Sequence, residues 1–137
     1  MKYYTEETIS EMSREIKFRG RTVNGEWIYG SPYPDQVYRQ GSFGVDIWLI
    51  REEGEDHEVR ENSIGQWTGL EDKDGKDIYE GDIYKYINHR GKIEKGKIEF
   101  KIGSFVCKYK TPYPLGSMND EIVIIGNIHE TPNLLKP

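Results

Sequence analysis

Six acidic side chains and three glycines lie in the stretch from Gln66 to Lys85, "QWTGLEDKDGKDIYEGDIYK", a combination that could bind a metal ion or catalyse a reaction. Carboxylates in a glycine-containing loop are typical of Ca²⁺ or Mg²⁺ sites, and carboxylate pairs are typical of general acid–base catalysis. The acids are Glu71, Asp72, Asp74, Asp77, Glu80 and Asp82.

An EF-hand loop needs side-chain oxygens at its first and last positions, around an invariant glycine. If Gly75 is that glycine, the two positions are Leu70 and Gly81, and neither offers a side-chain oxygen. The lysine-rich turns around the acids also give a carboxylate pair no reason to have different pKa values. The sequence therefore favours a turn at Asp74-Gly75, with the acids as turn formers and solvated residues. A metal-dependent hydrolase is the weakest of the functional hypotheses.

The other candidate nucleophiles and metal ligands are isolated in the sequence. The single cysteine, Cys107, alternates with aromatic residues, which predicts a buried side chain rather than a nucleophile. His57, His89 and His129 lie far apart, without the spacing of a zinc site. We therefore expect no catalytic residue, no cofactor and no metal, and we expect that the protein is not an enzyme.

Positive charge is concentrated between residues 83 and 110, which hold eight bases and two acids in a chain of formal net charge −5. Bases interleaved with aromatic residues are typical of small barrels that bind single-stranded nucleic acid. Solvated strand faces and contacts between subunits are the alternatives, because charged residues mostly lie outside. The candidate contact residues, for nucleic acid or for a protein partner, are Tyr84, Lys85, Tyr86, Arg90, Lys92, Lys95 and Lys97.

Short β-strands separated by glycine, asparagine, proline or aspartate must position these residues. Asn24-Gly25 predicts a two-residue type I′ hairpin, in which Gly20 faces Tyr29 and shares its face with Trp27. The segment "SPYPDQ" interrupts the strand pattern with two prolines, "EEGEDHE" predicts a charged loop or hairpin tip, and "TPYPLGSMND" predicts a loop. The regular spacing of the strands favours a barrel or a sandwich.

Composition predicts a cytoplasmic protein that associates with itself. The chain has 137 residues and is only 35% hydrophobic, so a subunit interface would help to complete its core. One cysteine excludes an internal disulfide and favours a reducing compartment. The sequence has no apolar run of the length of a membrane helix, and its N-terminus has no apolar signal segment.

Four ordered blocks, "REIKFRGR", "NGEWIYG", "IGQWTGLEDKDGKDIYEGDI" and "VIIGNIHETPNLL", resemble the YopX family of phages, prophages and bacterial mobile elements. The resemblance runs from Arg14 to Leu135, with residues 31–63 unmatched. It implies a mainly β, oligomeric protein of phage or mobile-element origin, whose C-terminal half is a partly open SH3-like barrel. It implies no established activity, catalytic residue or cofactor.

These observations predict a tail at residues 1–13, an N-terminal β-hairpin region at 14–70, and a C-terminal SH3-like barrel with its tail at 71–137. The predicted function is that of a non-catalytic, homo-oligomeric accessory or interaction module of unknown biochemical activity. Nucleic-acid binding through residues 83–110 is the alternative. No membrane contact is expected, and the sequence does not identify a protein partner.

Overall fold

The computed structural model describes residues 15–41, 43–108 and 112–136, so the predicted tail at 1–13 lies outside the described residues. The described chain is mainly β, as predicted, with three antiparallel sheets, none closed into a barrel within these ranges. The strands are β1 (Phe18–Arg21), β2 (Trp27–Gly30), β3 (Pro32–Val37), β4 (Val45–Glu52), β5 (Glu55–Val59), β6 (Gly65–Glu71), β7 (Asp77–Tyr79), β8 (Asp82–Ile87), β9 (Ile93–Lys101), β10 (Ser104–Lys108), β11 (Pro112–Pro114) and β12 (Val123–Asn127). Three short 3₁₀ turns cover Glu61–Ser63, Leu115–Ser117 and Pro132–Leu135.

The strands form a four-stranded sheet in the order β2-β1-β6-β7, a three-stranded sheet in the order β3-β4-β5, and a five-stranded sheet in the order β11-β10-β9-β8-β12. Only Glu80 and Gly81 separate β7 from β8, so the first sheet leads directly into the five-stranded one. The five-stranded sheet lies in the C-terminal half, where the resemblance implies a partly open SH3-like barrel, and the sheet is not closed within the described ranges. The boundary between residues 70 and 71 stays a prediction. Within the described ranges, no helix is long and apolar enough to cross a membrane.

Two separate cores stabilise the sheets, and the larger one lies on one face of the five-stranded sheet. Its buried members are Ile78, Tyr84, Ile98, Cys107, Leu115, Ile122 and Ile124, while Ile28, Ile50 and Val59 form the smaller core. Gly96 lets the central strand β9 fit between its neighbours. A Cβ there would lie 2.2 Å from the carbonyl oxygen of Lys108 and 2.5 Å from the hydroxyl oxygen of Tyr84.

The first hairpin differs from the prediction in its loop and in its register. The amide of Gly25 donates to the carbonyl of Thr22 and the amide of Thr22 donates to the carbonyl of Glu26, which defines a three-residue loop. Gly25 has a positive φ of 86°, and Asn24 does not have a positive φ, so the type I′ turn was wrong. Gly20 therefore faces Ile28 instead of Tyr29, and a one-residue shift exchanges the two faces of the strand.

Both proline-containing segments form edge strands, which corrects the prediction that they only interrupt the pattern. In β3, Pro32 and Pro34 lie at the edge of the three-stranded sheet, and β11 lies at the edge of the five-stranded sheet. Prolines two residues apart direct their hydrogen-free nitrogens to the same side, and an edge strand needs no donor on its outer side. The segment "EEGEDHE" contains a hairpin tip at Glu53-Gly54, as predicted, and also most of β5.

Candidate functional site

Five lysines project from the face of the five-stranded sheet that points away from its core. Lys85 of β8 lies directly opposite Lys95 of β9, and Lys97 of β9 lies directly opposite Lys108 of β10. Lys101 extends the row on β9, because side chains two residues apart share one face. We call these residues the lysine face: Lys85, Lys95, Lys97, Lys101 and Lys108.

Like charges placed directly opposite each other across two strands destabilise a sheet. The lysine face has two such pairs, and within the described part of the chain neither Lys85 nor Lys95 makes an ion pair. Lys85 and Lys95 therefore face each other without an ion-pairing acid among the described residues, which is an electrostatic cost to the folded sheet.

One acid, Glu99, lies among these lysines. Its Oε1 is 2.8 Å from the Nζ of Lys97, and its Oε2 is 3.4 Å from the Nζ of Lys101 and 3.8 Å from that of Lys108. Burial alone would raise the pKa of Glu99, but the hydrogen bond from Lys97 and the charges of the three lysines hold it below its ordinary value. Glu99 is therefore ionised and neutralises part of the charge of the face.

The structure brings only some of the sequence-predicted contact residues together. Lys85, Lys95 and Lys97 lie on the lysine face, whereas Arg90 and Lys92 are exposed in the loop between β8 and β9. The two tyrosines point to the opposite face. Tyr84 is only 2% exposed and belongs to the core, and Tyr86 is half-buried against that core. Tyr84 is therefore not placed to stack on a base.

The signal for the remaining members of the face was present in the sequence. Lys95, Lys97, Glu99 and Lys101 occur at intervals of two residues, and Lys108 continues the alternation on the next strand. Lys101 and Lys108 are not among the predicted contact residues, although alternation along β9 places Lys101 on this face. The position of Lys108 beside Lys97 depends on the pairing of β9 with β10, which the alternation within one strand does not define.

A second charged cluster lies buried where the first sheet meets the five-stranded sheet. Nη2 of Arg19 donates to Oδ1 of Asp82 over 2.6 Å, and the two side chains are only 8% and 3% exposed. The guanidinium lies between two rings, 4.4 Å from the centroid of Trp27 and 4.7 Å from that of Tyr79. The backbone amide of Tyr79 donates to Oδ2 of Asp82 over 2.8 Å.

Side chains from the C-terminal end of the described chain complete this cluster. Nε1 of Trp27 donates to Oε1 of Glu130 over 2.6 Å, and the ring of His129 packs edge-on against Trp27 at 5.8 Å. Burial, together with the charges of Arg19 and Arg21, lowers the pKa of His129. Burial also raises the pKa of Asp82, although the Arg19 guanidinium opposes that rise. We call this group the Arg19 cluster; its members are Arg19, Trp27, Tyr79, Asp82, His129 and Glu130.

The family model described as "YopX protein" matches residues 17–136, which include both charged clusters. The chain belongs to the YopX protein family. The crystal structure of protein EF1440 from Enterococcus faecalis is similar to this YopX family chain, with 24% sequence identity and a TM-score of 0.55. The structural match covers 90% of this chain and 100% of the EF1440 chain, so it supports the fold described above. No curated protein matches the chain.

In this YopX family protein, four of the six acids of residues 71–82 have separate structural partners: Asp72, Asp77, Glu80 and Asp82. Asp72 is buried, and its Oδ1 accepts hydrogen bonds from the amides of Asp74 and Lys76 while its Oδ2 accepts one from the amide of Ile124. Gly75 has a φ of 83°, which confirms the predicted turn. The prediction that the acids are solvated was wrong for Asp72 and Asp82, because both carboxylates are buried and accept hydrogen bonds from backbone amides.

The described part of this YopX family chain contains no group of three or more histidine, cysteine or acidic residues placed to hold a metal ion. Cys107 is fully buried in the larger core, as predicted, and burial raises the pKa of its thiol to about 12. A thiol with that pKa is protonated at neutral pH and is a poor nucleophile. His57 and His89 lie apart from the Arg19 cluster, in β5 and in the β8–β9 loop.

Proposed function

We propose that this YopX family protein is a non-catalytic interaction module that binds nucleic acid through its lysine face. The observation that supports the proposal is the placement of lysines directly opposite each other on neighbouring strands, Lys85 with Lys95 and Lys97 with Lys108; only the second pair has an acid, Glu99, beside it among the described residues. Such pairs raise the free energy of the folded protein unless an anion lies over them. A nucleic-acid backbone is the common biological polyanion that covers a flat array of positive charges and releases its counterions on binding.

The chemistry of the face favours contacts to phosphates over contacts to bases. Of the described residues that alternate onto it, none is aromatic, so the face has no platform on which bases would stack. Lysine is a flexible point charge that contacts phosphate without reading sequence. We therefore propose binding with little dependence on base sequence.

The non-catalytic part of the proposal is supported by the roles of the reactive side chains. Asp72 and Asp82 use their oxygens for backbone and arginine contacts, and Cys107 is buried with a raised pKa. The predicted cytoplasmic location belongs to the same proposal, because a nucleic-acid-binding chain with a single cysteine suits a reducing compartment. Phage or mobile-element origin stays a prediction.

Fluorescence anisotropy of labelled duplex DNA, single-stranded DNA and RNA over a salt series tests the proposal. The expected result is binding that weakens steeply with salt, with a slope of about 0.9 for each phosphate contact. The double variant Lys85→Gln/Lys95→Gln should reduce that slope by roughly two and weaken binding by about tenfold or more at low salt. The matched control, Lys76→Gln/Lys136→Gln, removes two exposed lysines elsewhere and should change little. Flat anisotropy at low salt would show that the proposal is wrong.

Self-association is a second candidate function, and a different surface supports it. On β4, Trp48 and Ile50 pack into the smaller core, so the alternating residues Val45, Ile47 and Leu49 point to the other side of the three-stranded sheet. Tyr33 lies opposite Leu49, and Val37 lies opposite Val45. A row of half-buried apolar side chains on the outer face of a sheet is typical of a subunit interface.

Light scattering of the purified protein would measure this association directly. A mass above that of one chain, 16.0 kDa, is expected, and Ile47→Glu should return it to the monomer. The control Asp46→Lys changes a neighbouring exposed residue that points to the opposite face of β4. A mass of one chain at high concentration would exclude self-association.

A further inference from the structure

The three lysines around Glu99 lie within the lysine face, but their geometry differs from that of Lys85 and Lys95. Lys97, Lys101 and Lys108 direct their ammonium groups to one point, which the Glu99 carboxylate occupies at 2.8, 3.4 and 3.8 Å. Glu99 is the only acid among the described residues of β9 and β10 that shares their face. A single anion position therefore exists on this surface, and it is already filled.

The carboxylate does not fit this position well. Its Oε2 is buried and accepts no hydrogen bond from the described residues, although two ammonium groups lie within 4.0 Å. Each ammonium offers three donors, whereas a carboxylate offers two oxygens on a side chain that is fixed to the strand. A phosphate group has more acceptor oxygens in a tetrahedral arrangement and could accept from all three lysines.

The surroundings of Glu99 also have room for more than a phosphate. A depression of about 330 Å³ adjoins Glu99, and Asn62, Ile64, Ile128 and His129 contribute to its walls. This volume is at the lower end of the range for pockets that hold small organic groups. The sugar attached to a bound phosphate could extend into it.

We propose that Lys97, Lys101 and Lys108 form a subsite for one backbone phosphate of the bound nucleic acid, and that Glu99 occupies this subsite as an intramolecular competitor. The inference rests on the proposed nucleic-acid binding. When nucleic acid binds, a phosphate replaces the Glu99 carboxylate on the three ammonium groups. Glu99 therefore lowers the affinity of the lysine face, and it does so at this subsite rather than through the net charge of the protein.

Glu99→Gln tests the subsite, because glutamine keeps the size of the side chain and removes its charge. Removing one negative charge about 4 Å from the phosphate should tighten binding by about fivefold at moderate salt. The salt slope should become steeper by roughly one, because one more lysine is available to a phosphate. The control Glu94→Gln removes the same charge from the same strand on its other face, and its affinity should stay within about twofold of wild type. Glu99→Thr, a good strand residue, repeats the test if the glutamine variant folds poorly.

A double-mutant cycle separates the subsite from general electrostatics. In the Lys101→Gln/Lys108→Gln background, Glu99→Gln should no longer tighten binding, because the subsite is absent. If wild type binds and Glu99→Gln leaves its affinity unchanged, the subsite is wrong and the proposed function stands. If Glu94→Gln tightens binding as much as Glu99→Gln, the effect comes from net charge, and the subsite is again wrong. If neither wild type nor Glu99→Gln binds, both proposals fail together.

Discussion

The Arg19 cluster and the Glu99 site contain the same pair of chemical groups, a carboxylate and basic side chains, in opposite environments. In the Arg19 cluster both charged side chains are at most 8% exposed, and Asp82 also accepts an amide hydrogen bond. Around Glu99 the lysines are 38–48% exposed, and one carboxylate oxygen makes no hydrogen bond. Removing one partner of a buried ion pair strongly destabilises a fold, because it leaves the other charge buried, whereas a more exposed and incompletely bonded pair contributes little and is available for exchange with a ligand.

The largest effect is expected from Asp82→Asn. This change leaves the Arg19 guanidinium buried without a counter-charge, which should lower the free energy of unfolding by about 3–5 kcal/mol. Urea unfolding followed by tryptophan fluorescence measures the loss. The control Asp77→Asn breaks the half-exposed Lys17–Asp77 pair and should change stability by less than about 1 kcal/mol. Similar losses for the two variants would contradict the distinction between buried and exposed pairs.

A smaller loss is expected from Trp27→Leu. The substitution removes the ring over the Arg19 guanidinium, the edge contact with His129 and the hydrogen bond to Glu130. Together these contacts should account for about 2 kcal/mol of stability in urea unfolding. Trp27→Phe keeps a ring and loses only the Nε1 donor, so its loss should be roughly half as large. A neutral Trp27→Leu variant would show that the cluster depends on the Arg19–Asp82 pair alone.

A modest pH effect is expected from His129. Its pKa is lowered in the folded state, so below its ordinary value of 6.5 the unfolded chain takes up a proton that the folded chain does not. Stability should therefore fall as the pH drops from 6.5 towards the lowered pKa of the folded protein. Thermal unfolding at a series of pH values measures this fall, and it should be smaller in His129→Gln. An identical pH profile for the variant would remove His129 as the cause.

The smallest effect on stability is expected from Glu99→Gln, which is the matching change at the more exposed site, where the Glu99 side chain is 18% exposed and its lysines 38–48%. Surface ion pairs contribute little, so the free energy of unfolding should change by less than about 1 kcal/mol. The same urea experiment as for Asp82→Asn measures it. A loss comparable to that of Asp82→Asn would mean that Glu99 has a structural role, and the contrast between the two sites would no longer hold.

Much of the fold and of the lysine face could be predicted from local pattern. The alternation of Lys97, Glu99 and Lys101 with Ile98 and Phe100 defines which side of β9 is basic, because side chains on a strand alternate between its faces. The burial of Cys107 follows from the same alternation one strand later. These inferences use residues within one strand, so they do not depend on how strands pair.

The Arg19 cluster could not be predicted, because it depends on loop length. Asn24-Gly25 suggests a two-residue turn, yet Gly25 ends a three-residue loop in which Thr22 accepts the closing amides, and Gly75 ends a loop of the same length closed by Asp72. The two-residue turns with consecutive positive φ values occur instead at Glu53-Gly54 and Ile102-Gly103. A glycine shows where positive φ is accessible, but tertiary packing selects the length of the loop. That one-residue difference decides whether Trp27 lies on the same face as Arg19.

The sequence separations within the Arg19 cluster also have a consequence for how the chain folds. Arg19 bonds a residue 63 positions away, and Trp27 bonds one 103 positions away. Contacts between such distant residues form late, because the entropy of closing a long loop opposes them until they form. Proteins in which most contacts are of this kind fold in milliseconds to seconds. During synthesis, β1 can pair with β2 and later with β6, but Trp27 gains its contacts with His129 and Glu130 only after residues 129 and 130 have emerged from the ribosome. Until then Trp27 lacks these two contacts, and in that interval the nascent chain exposes an aromatic side chain that chaperones and proteases can recognise.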